Sequence, residues 1–247
     1  MSQEKRTELL DRCAGIRVTD WRDALDAIGL FDRGLMRPEI QPLWHDVDTL
    51  DHCVVGWAFT LRYVPTGRTI KAQSVEDFHR QEGQWYGQQP NWAAQLEEGD
   101  LIVIDGAGTP TTGYVGSMNS LTWLRRGAVG IVTNSGVRDT DELRIQKIPV
   151  YCTGLSRGII PGRAELDGYG QPVECGGVEV HPDDLVVADG DGVIVIPSDS
   201  VEAALPVAEE IQSSDQRARA RLYRELGLEP DATLGEAAQL VEGEGAE

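Results

Sequence analysis

The sequence predicts a single α/β domain with helices at its periphery, and three observations carry that reading. Short all-apolar runs at residues 101–104, 129–133 and 148–152 alternate with helical stretches, the order expected of parallel strands joined by crossover helices. Apolar residues at helical spacing mark both ends of the chain. No internal repeat and no linker divides the 247 residues, a length that can bury a substantial core.

From the amino end, Leu9, Leu10, Cys13 and Ala14 give residues 4–15 a helical spacing. Thr19 or Asp20 can cap a second helix over residues 21–28, with Gly29 as its stop. Residues 53–63, CVVGWAFTLRY, are rich in β-branched and aromatic side chains and predict a strand, turned by Pro65 and Gly67. Residues 74–95 lack clear periodicity. They fit either a loop or broken helix over a pocket or a helix–loop insertion on the surface.

In the centre, strand 101–104 leads through a Gly- and Thr-rich loop to a helix over 117–126 that stops at Gly127, then to strands 129–133 and 148–152. Residues 154–170 read as Gly-rich and poor in strand. Three short strands follow at 178–180, 185–188 and 193–196. Residues 201–212 predict a helix, and a separate Arg-rich amphipathic helix extends to Leu226. The domain is expected over residues 1–232, with a C-terminal helix and frayed acidic tail over 233–247.

The chain carries 22 Lys and Arg against 41 Asp and Glu, a formal charge of −19. Nucleic-acid surfaces concentrate cations, so such a partner is not expected. No run approaches the roughly 20 apolar residues of a membrane span, and the polar start MSQEKRTELLDRC lacks a signal-peptide core; a cytoplasmic protein without a membrane partner is the expectation. The four cysteines form no C-x-x-C and the four histidines no H-x-x-x-H, which argues against a zinc site.

Chemistry is expected where strands end and helices begin, because N–H groups there are unpaired. The loop from Asp105 to Gly116 ends at such a point, where Gly116, Ser117, Met118 and Asn119 can offer amides to a carboxylate. It satisfies neither a dinucleotide fingerprint, since position 111 is Thr, nor a phosphate loop, since no G-K-[ST] occurs. The next strand exits into Arg138-Asp139-Thr-Asp-Glu142. Two readings of that run are open. Arg138 can grip a carboxylate or a developing enolate oxygen while Asp139 holds Mg²⁺ or Mn²⁺, with Glu142 and Asp141 orienting its waters. Alternatively, Asp139 is a helix N-cap and Glu142, three residues on, completes a capping box.

The run LIVIDGAGTPTTGYVGSMNSLTWLRRGAVGIVTNSGVRDTDEL at residues 101–143 resembles the RraA-like family. That family includes class II 4-hydroxy-4-methyl-2-oxoglutarate aldolases, which also decarboxylate oxaloacetate, and the regulator of ribonuclease E activity. The likeness extends to Asp23-Ala-Leu-Asp26, Gly56-Trp-Ala-Phe-Thr60 and the closing run Asp189-Gly-Asp-Gly-Val-Ile-Val-Ile-Pro197.

The resemblance implies a compact swivelling-type β/β/α domain assembled into homotrimers or homohexamers, with sites at subunit interfaces. It implies a lyase that cleaves or decarboxylates a small 2-oxo acid through a metal-stabilised enolate. Gly116 to Asn119 would hold the substrate carboxylate, Arg138 would bind substrate, and Asp139 would be the direct ligand of Mg²⁺ or Mn²⁺. The family also admits a non-catalytic regulator that binds a protein partner. Two departures stand out: position 117, often acidic in the aldolases, is Ser, and the 74–95 segment is longer and more aromatic.

Overall fold

The structure, a computed structural model, describes residues 1–106, 109 and 111–242. The chain forms α1 (Gln3–Cys13), α2 (Val18–Ala27), β1 (Gln41–Pro42), β2 (Val54–Pro65), α3 (Val75–Gly87), β3 (Asp100–Asp105), β4 (Gly113–Val115) and α4 (Ser117–Leu124). It continues with β5 (Ala128–Val137), α5 (Thr140–Ile145), β6 (Val150–Leu155), β7 (Ala164–Tyr169), β8 (Val173–Cys175), β9 (Val178–Val180), β10 (Leu185–Asp189), β11 (Gly192–Ile196), α6 (Val201–Leu226) and α7 (Gln239–Glu242). This is the mixed α/β domain with peripheral helices that the sequence predicts.

One sheet runs β1-β6-β5-β3-β2-β10-β11, with β4 added on β5 and β7 on β2. The strands β2, β3, β5 and β6 are parallel to one another, whereas β10 pairs antiparallel with both β2 and β11. The apolar runs of the central strands follow from burial on both faces. Along β3, Leu101 and Val103 join an interior cluster with Val132, Tyr151 and Val186. The alternate residues Ile102 and Ile104 pack outward with Ile131, Trp123 and Leu143. A third cluster seats α1, α2 and α6 on Trp57, Leu185 and Ile194.

The segment between α2 and β2 nearly closes the sheet into a barrel. The Val195 amide donates to the Gly34 carbonyl and the Met36 amide to Val193, both at 2.9 Å, while β1 pairs with β6 at the opposite edge. Gly34 has φ +78° and lies against the Val195 carbonyl, where a Cβ would overlap the oxygen. Only glycine meets both demands.

Three local expectations change, and one segment left open takes a definite form. Residues 154–170 do contain a strand: β7 pairs with the second half of the twelve-residue β2, beyond the reach of β10. Its half-exposed Glu165, Asp167 and Gly168 hid it from a hydrophobic pattern. Residues 201–226 form one helix rather than two. Pro206 sits in its second turn, and the change from apolar to Arg-rich marks where the helix leaves the core, not a break. The N-cap of α2 is Arg17; Asp20 is the third helical residue, and its carboxylate accepts from the Arg17 amide at 3.3 Å and pairs with its guanidinium. Residues 74–95 form α3, capped by Ser74, and a 3-10 turn at Trp92–Gln95.

At the carboxyl end, residues 232–242 fold back on α6, burying Ala220, Leu234 and Ala237 together. Most of the expected frayed tail lies outside the described residues. Among the described residues no helix is long and apolar enough to cross a membrane.

A buried ion pair ties α1 to the start of β3. Arg6 and Asp100 are 7% and 5% exposed, and Arg6 Nη2 donates to Asp100 Oδ1 at 2.8 Å. The guanidinium also meets Asp183 and lies 5.5 Å from the Trp57 ring centre. Burial pushes the Asp100 carboxyl above its ordinary range, against the Glu97 amide and Arg6, which pull it down. Removing one partner strands the other charge in the interior, at a cost of about 3–5 kcal/mol. Arg6→Ala is expected to lose about that much stability near pH 7.5. Because Asp100 then titrates still higher in the folded than in the unfolded chain, protonation relieves the defect as pH falls toward that raised value. Urea unfolding of variant and wild type at pH 7.5 and 5.0 checks this; an equal deficit at both pH values contradicts it.

Candidate functional site

The site is built where β5 outlasts β3. Beyond Ile104, which is opposite Thr133, the flank of β5 is taken over by β4, with Gly113 opposite Gly136 and Val115 opposite Val137. The Arg138 amide donates to the Val115 carbonyl at 2.9 Å. This pairing brings the first turn of α4 beside the residues that leave β5, so Gly116 and the Arg138-Asp139 pair meet although 22 residues separate them.

Asp139 is the N-cap of α5 by position, yet its side chain makes no cap bond. Its backbone is left-handed, with φ +55° and ψ +43°, a conformation that costs a non-glycine residue of order 1 kcal/mol and clusters at functional sites. The turn directs the carboxylate away from α5 and across to α4. Oδ2 accepts from the Ser117 amide at 3.2 Å and Oδ1 from Arg138 Nε at 3.2 Å. The capping-box reading therefore fails. Glu142 lies exposed in the first turn of α5, and among the described residues no hydrogen bond joins its side chain to Asp139.

Gly116, the N-cap of α4, has an ordinary extended backbone at φ −143°. Its need for glycine is spatial: a Cβ would sit 2.7 Å from Asp139 Oδ2 and 3.4 Å from Arg138 Cγ. Below it, Ser120 Oγ returns a hydrogen bond to the Gly116 carbonyl at 2.9 Å and steadies the turn. Ser117 is half-buried, while the Met118 and Asn119 side chains point outward. The Met118 and Asn119 amides belong to the first turn, whose N–H groups have no helical acceptor.

Electrostatically the site is nearly self-neutral. The Arg138 and Asp139 side chains are 35% and 32% exposed, open enough to receive a ligand. Arg138 spends Nε on Asp139; both Nη groups make no bond to any described residue. The carboxylate uses two of its roughly four lone-pair positions and keeps the rest. No cluster of three His, Cys, Asp or Glu side chains able to cage a metal occurs among the described residues. What is present suits a hard cation held by one carboxylate and mostly by water, the habit of Mg²⁺.

A residue that pattern reading missed is Tyr86, near the end of α3. Burial pushes its hydroxyl up to about 12, Glu82 adds to the shift, and the Arg138 guanidinium opposes it. Trp85 beside Tyr86 is buried under the Arg68 guanidinium, 4.1 Å from the ring centre, which anchors this end of α3. The only signal in the sequence was the aromatic excess of the segment. Ala107, Gly108 and Pro110 of the Gly-rich loop lie outside the described residues.

Comparison with known proteins gives this arrangement a context. The chain belongs to the RraA-like family, described as Aldolase/RraA, whose profile matches residues 18–195. It is 28% identical over 209 residues to the protein DlpA of Legionella pneumophila, covering 85% of this chain and 31% of that one. It is 34% identical over 109 residues to a 4-hydroxy-4-methyl-2-oxoglutarate aldolase of Thermus thermophilus, covering 41% of this chain and 63% of the aldolase. The chain therefore spans from about a third to just under two thirds of these relatives. Among solved structures, Streptomyces coelicolor RraAS2, described as an unusual member of the RNase ES inhibitor RraA protein family, superposes with a TM-score of 0.67 at 25% identity. That match covers 86% of this chain and 96% of RraAS2.

The contact between Gly116 and Asp139 yields a structural prediction. Gly116→Ala is expected to keep the fold, because its backbone suits alanine, at an overpacking cost of about 1–3 kcal/mol. The new methyl should drive the Asp139 carboxylate off the Ser117 amide. A crystal structure of the variant in which Asp139 Oδ2 still accepts from Ser117 would show that glycine is dispensable there.

Proposed function

We propose that this member of the RraA-like family is a divalent-metal-dependent lyase that cleaves or decarboxylates a small 2-oxo acid. The observation that carries the reading is the orientation of Asp139. A strained backbone turns its carboxylate from the helix it should cap toward the anion-receptive start of α4, with Arg138 alongside. Relatives named as aldolases support the reaction class.

In this reading Asp139 holds Mg²⁺ or Mn²⁺ through its free lone pairs, with water completing the shell. When bound, the cation supplies Lewis acidity at the 2-oxo group, stabilising the enolate left by C–C cleavage. The remaining work falls to the chain. The Met118 and Asn119 amides receive the substrate carboxylate. The Arg138 Nη groups, held in aim by the bond from Nε to Asp139, meet the oxygen that becomes negative. The Gly116 backbone keeps space clear of a side chain where substrate and Asp139 meet. Retro-aldol cleavage also requires a base for the departing hydroxyl proton, whereas loss of CO₂ does not. With Ser117 where the aldolases often carry an acid, Asp139 has no second carboxylate beside it from that position. Oxaloacetate decarboxylation is accordingly the activity to test first.

Met118, Leu121 and Ile145 are exposed on α4 and α5 near this site, at 75%, 43% and 82%. We take them as surface for a second copy of the chain, in a homotrimer or hexamer with sites at its interfaces. The likeness to RraAS2 supports a second reading, a non-catalytic regulator that binds a protein partner.

Pyruvate release from oxaloacetate with Mg²⁺ or Mn²⁺, against an EDTA control, separates the two. Asp139→Ala is expected to remove metal dependence and lower the rate about 100-fold or more, with the circular dichroism unchanged. Metal-loaded protein that turns over neither oxaloacetate nor any 4-hydroxy-2-oxo acid leaves the regulator reading in its place. Arg138→Lys should lose about ten- to a hundredfold, because an ammonium keeps the charge but not the paired donors; a full rate in that variant removes Arg138 from the reaction.

A further inference from the structure

A concavity lies at the opposite end of the parallel strands from Arg138. It is floored by Val54 and Val55, the first residues of β2, and by Val187 and Ala188, their partners on β10. Its volume is about 690 Å³, inside the range of roughly 300–1,000 Å³ typical of small-molecule sites. One wall is a single face of α6, where Gln212, Gln216 and Arg219 follow at helical spacing.

The rim is tied together by polar contacts among distant parts of the chain. The Gln212 amide donates to the Gly15 carbonyl in the α1–α2 turn, and Arg17 Nη2 pairs with Asp215 at 2.7 Å. Arg219 Nη2 donates to Thr233 Oγ1 at 2.6 Å, which fastens the C-terminal turn over the same opening. The walls are thus held in place while the apolar floor between them is left half-covered.

The charges around the cavity are matched, with one exception. Arg17 is paired with Asp20 and Asp215, and Lys147 with Asp46 and Asp51. The buried Asp189 carboxylate accepts from the Val18 and Asp191 amides, both at 2.8 Å. Arg219 makes no ion pair among the described residues. Asp231, the carboxylate that feels its charge, is occupied by Tyr223 and by Thr233. An apolar floor beneath a guanidinium that is hydrogen-bonded to Thr233 but has no ion pair among the described residues selects a ligand with an apolar body and one negative charge. A second negative charge would face Asp51 or Asp189.

We propose that this cavity binds a compact amphipathic monocarboxylate, its apolar body on Val55 and Val187, which share the face toward α6, and its carboxylate on Arg219. The proposal does not depend on the lyase reading, since the two regions occupy opposite ends of the sheet.

Octanoate is the probe, measured by isothermal titration calorimetry on the full chain, with octanamide as the neutral isostere. One saturable octanoate site per chain is expected, with octanamide at least tenfold weaker. Arg219→Gln should weaken octanoate at least tenfold and leave octanamide unchanged. Ala14→Trp, an exposed rim position that lines the opening, should abolish binding of both. Absence of saturable octanoate binding overturns the proposal, as does equal affinity in wild type and both variants. If a variant fails to fold, the comparison on wild type decides: octanamide as tight as octanoate removes Arg219 from the site.

Discussion

Strand β5 is the constraint on which the rest of the molecule depends. It is paired by β3 as far as Thr133 and by β4 from Gly136 on one side, and by β6 on the other with a register shift between Thr133 and Gly136, while Ile131 and Val132 pack into clusters on its two faces. A strand in that position cannot bend to suit a ligand, so the residues that leave it emerge at a fixed place and in a fixed direction. The exchange of β3 for β4 near Thr133 has a further effect. It carries the chain across the top of the sheet and delivers the start of α4 next to the end of β5. The candidate site is thus assembled by main-chain pairing, and its side chains inherit their geometry from the sheet.

That rigidity accounts for the strained turn at Asp139. With Arg138 fixed by its amide to Val115 and α5 fixed by Leu143 in the outward cluster, one residue must reverse the chain between them. Asp139 does so in the left-handed region, where a glycine would be easier. An aspartate kept at a position suited to glycine has to gain something from its side chain. The carboxylate gains the Ser117 amide and the Arg138 guanidinium, two hydrogen bonds to a charged acceptor worth about 1.5–3 kcal/mol each when fully formed, less where solvent reaches them.

How much of this the sequence disclosed follows from which interactions are local. Strands β3, β5 and β6 were legible because burial on both faces writes an uninterrupted apolar run. Strand β7 was not, because Glu165 and Asp167 remain half-exposed and its partner is the far half of β2, some hundred residues earlier. The helix break expected after Gln212 rested on a change of composition, which records the helix leaving the core and carries no information about its backbone. At the site, the spacing of Asp139 and Glu142 satisfied a capping box on paper. The box fails because the φ of one residue decides where a carboxylate points, and nothing local in the sequence encodes that angle. Gly116 was readable as a helix start, but its closeness to Asp139 is a long-range fact of the β4–β5 pairing.

The charge of the molecule bears on the proposed chemistry. A chain of net charge −19 repels dicarboxylates at long range, and the site does little by itself to reverse this, because the charges of Arg138 and Asp139 cancel. Neutral N–H groups at a helix start contribute about half a positive charge, too little to hold a dianion in exposed surroundings. The arrangement becomes attractive to a 2-oxo acid once a divalent cation joins the free lone pairs of Asp139, which turns a neutral locus into one of charge near +2. On the proposed reading, the carboxylate at the centre of the site serves by recruiting positive charge, and the guanidinium serves by direction more than by net attraction. The same logic distinguishes the cavity beneath α6. There a single unmatched cation above an apolar floor needs no metal, and it draws a ligand of one charge because it has only one to offer.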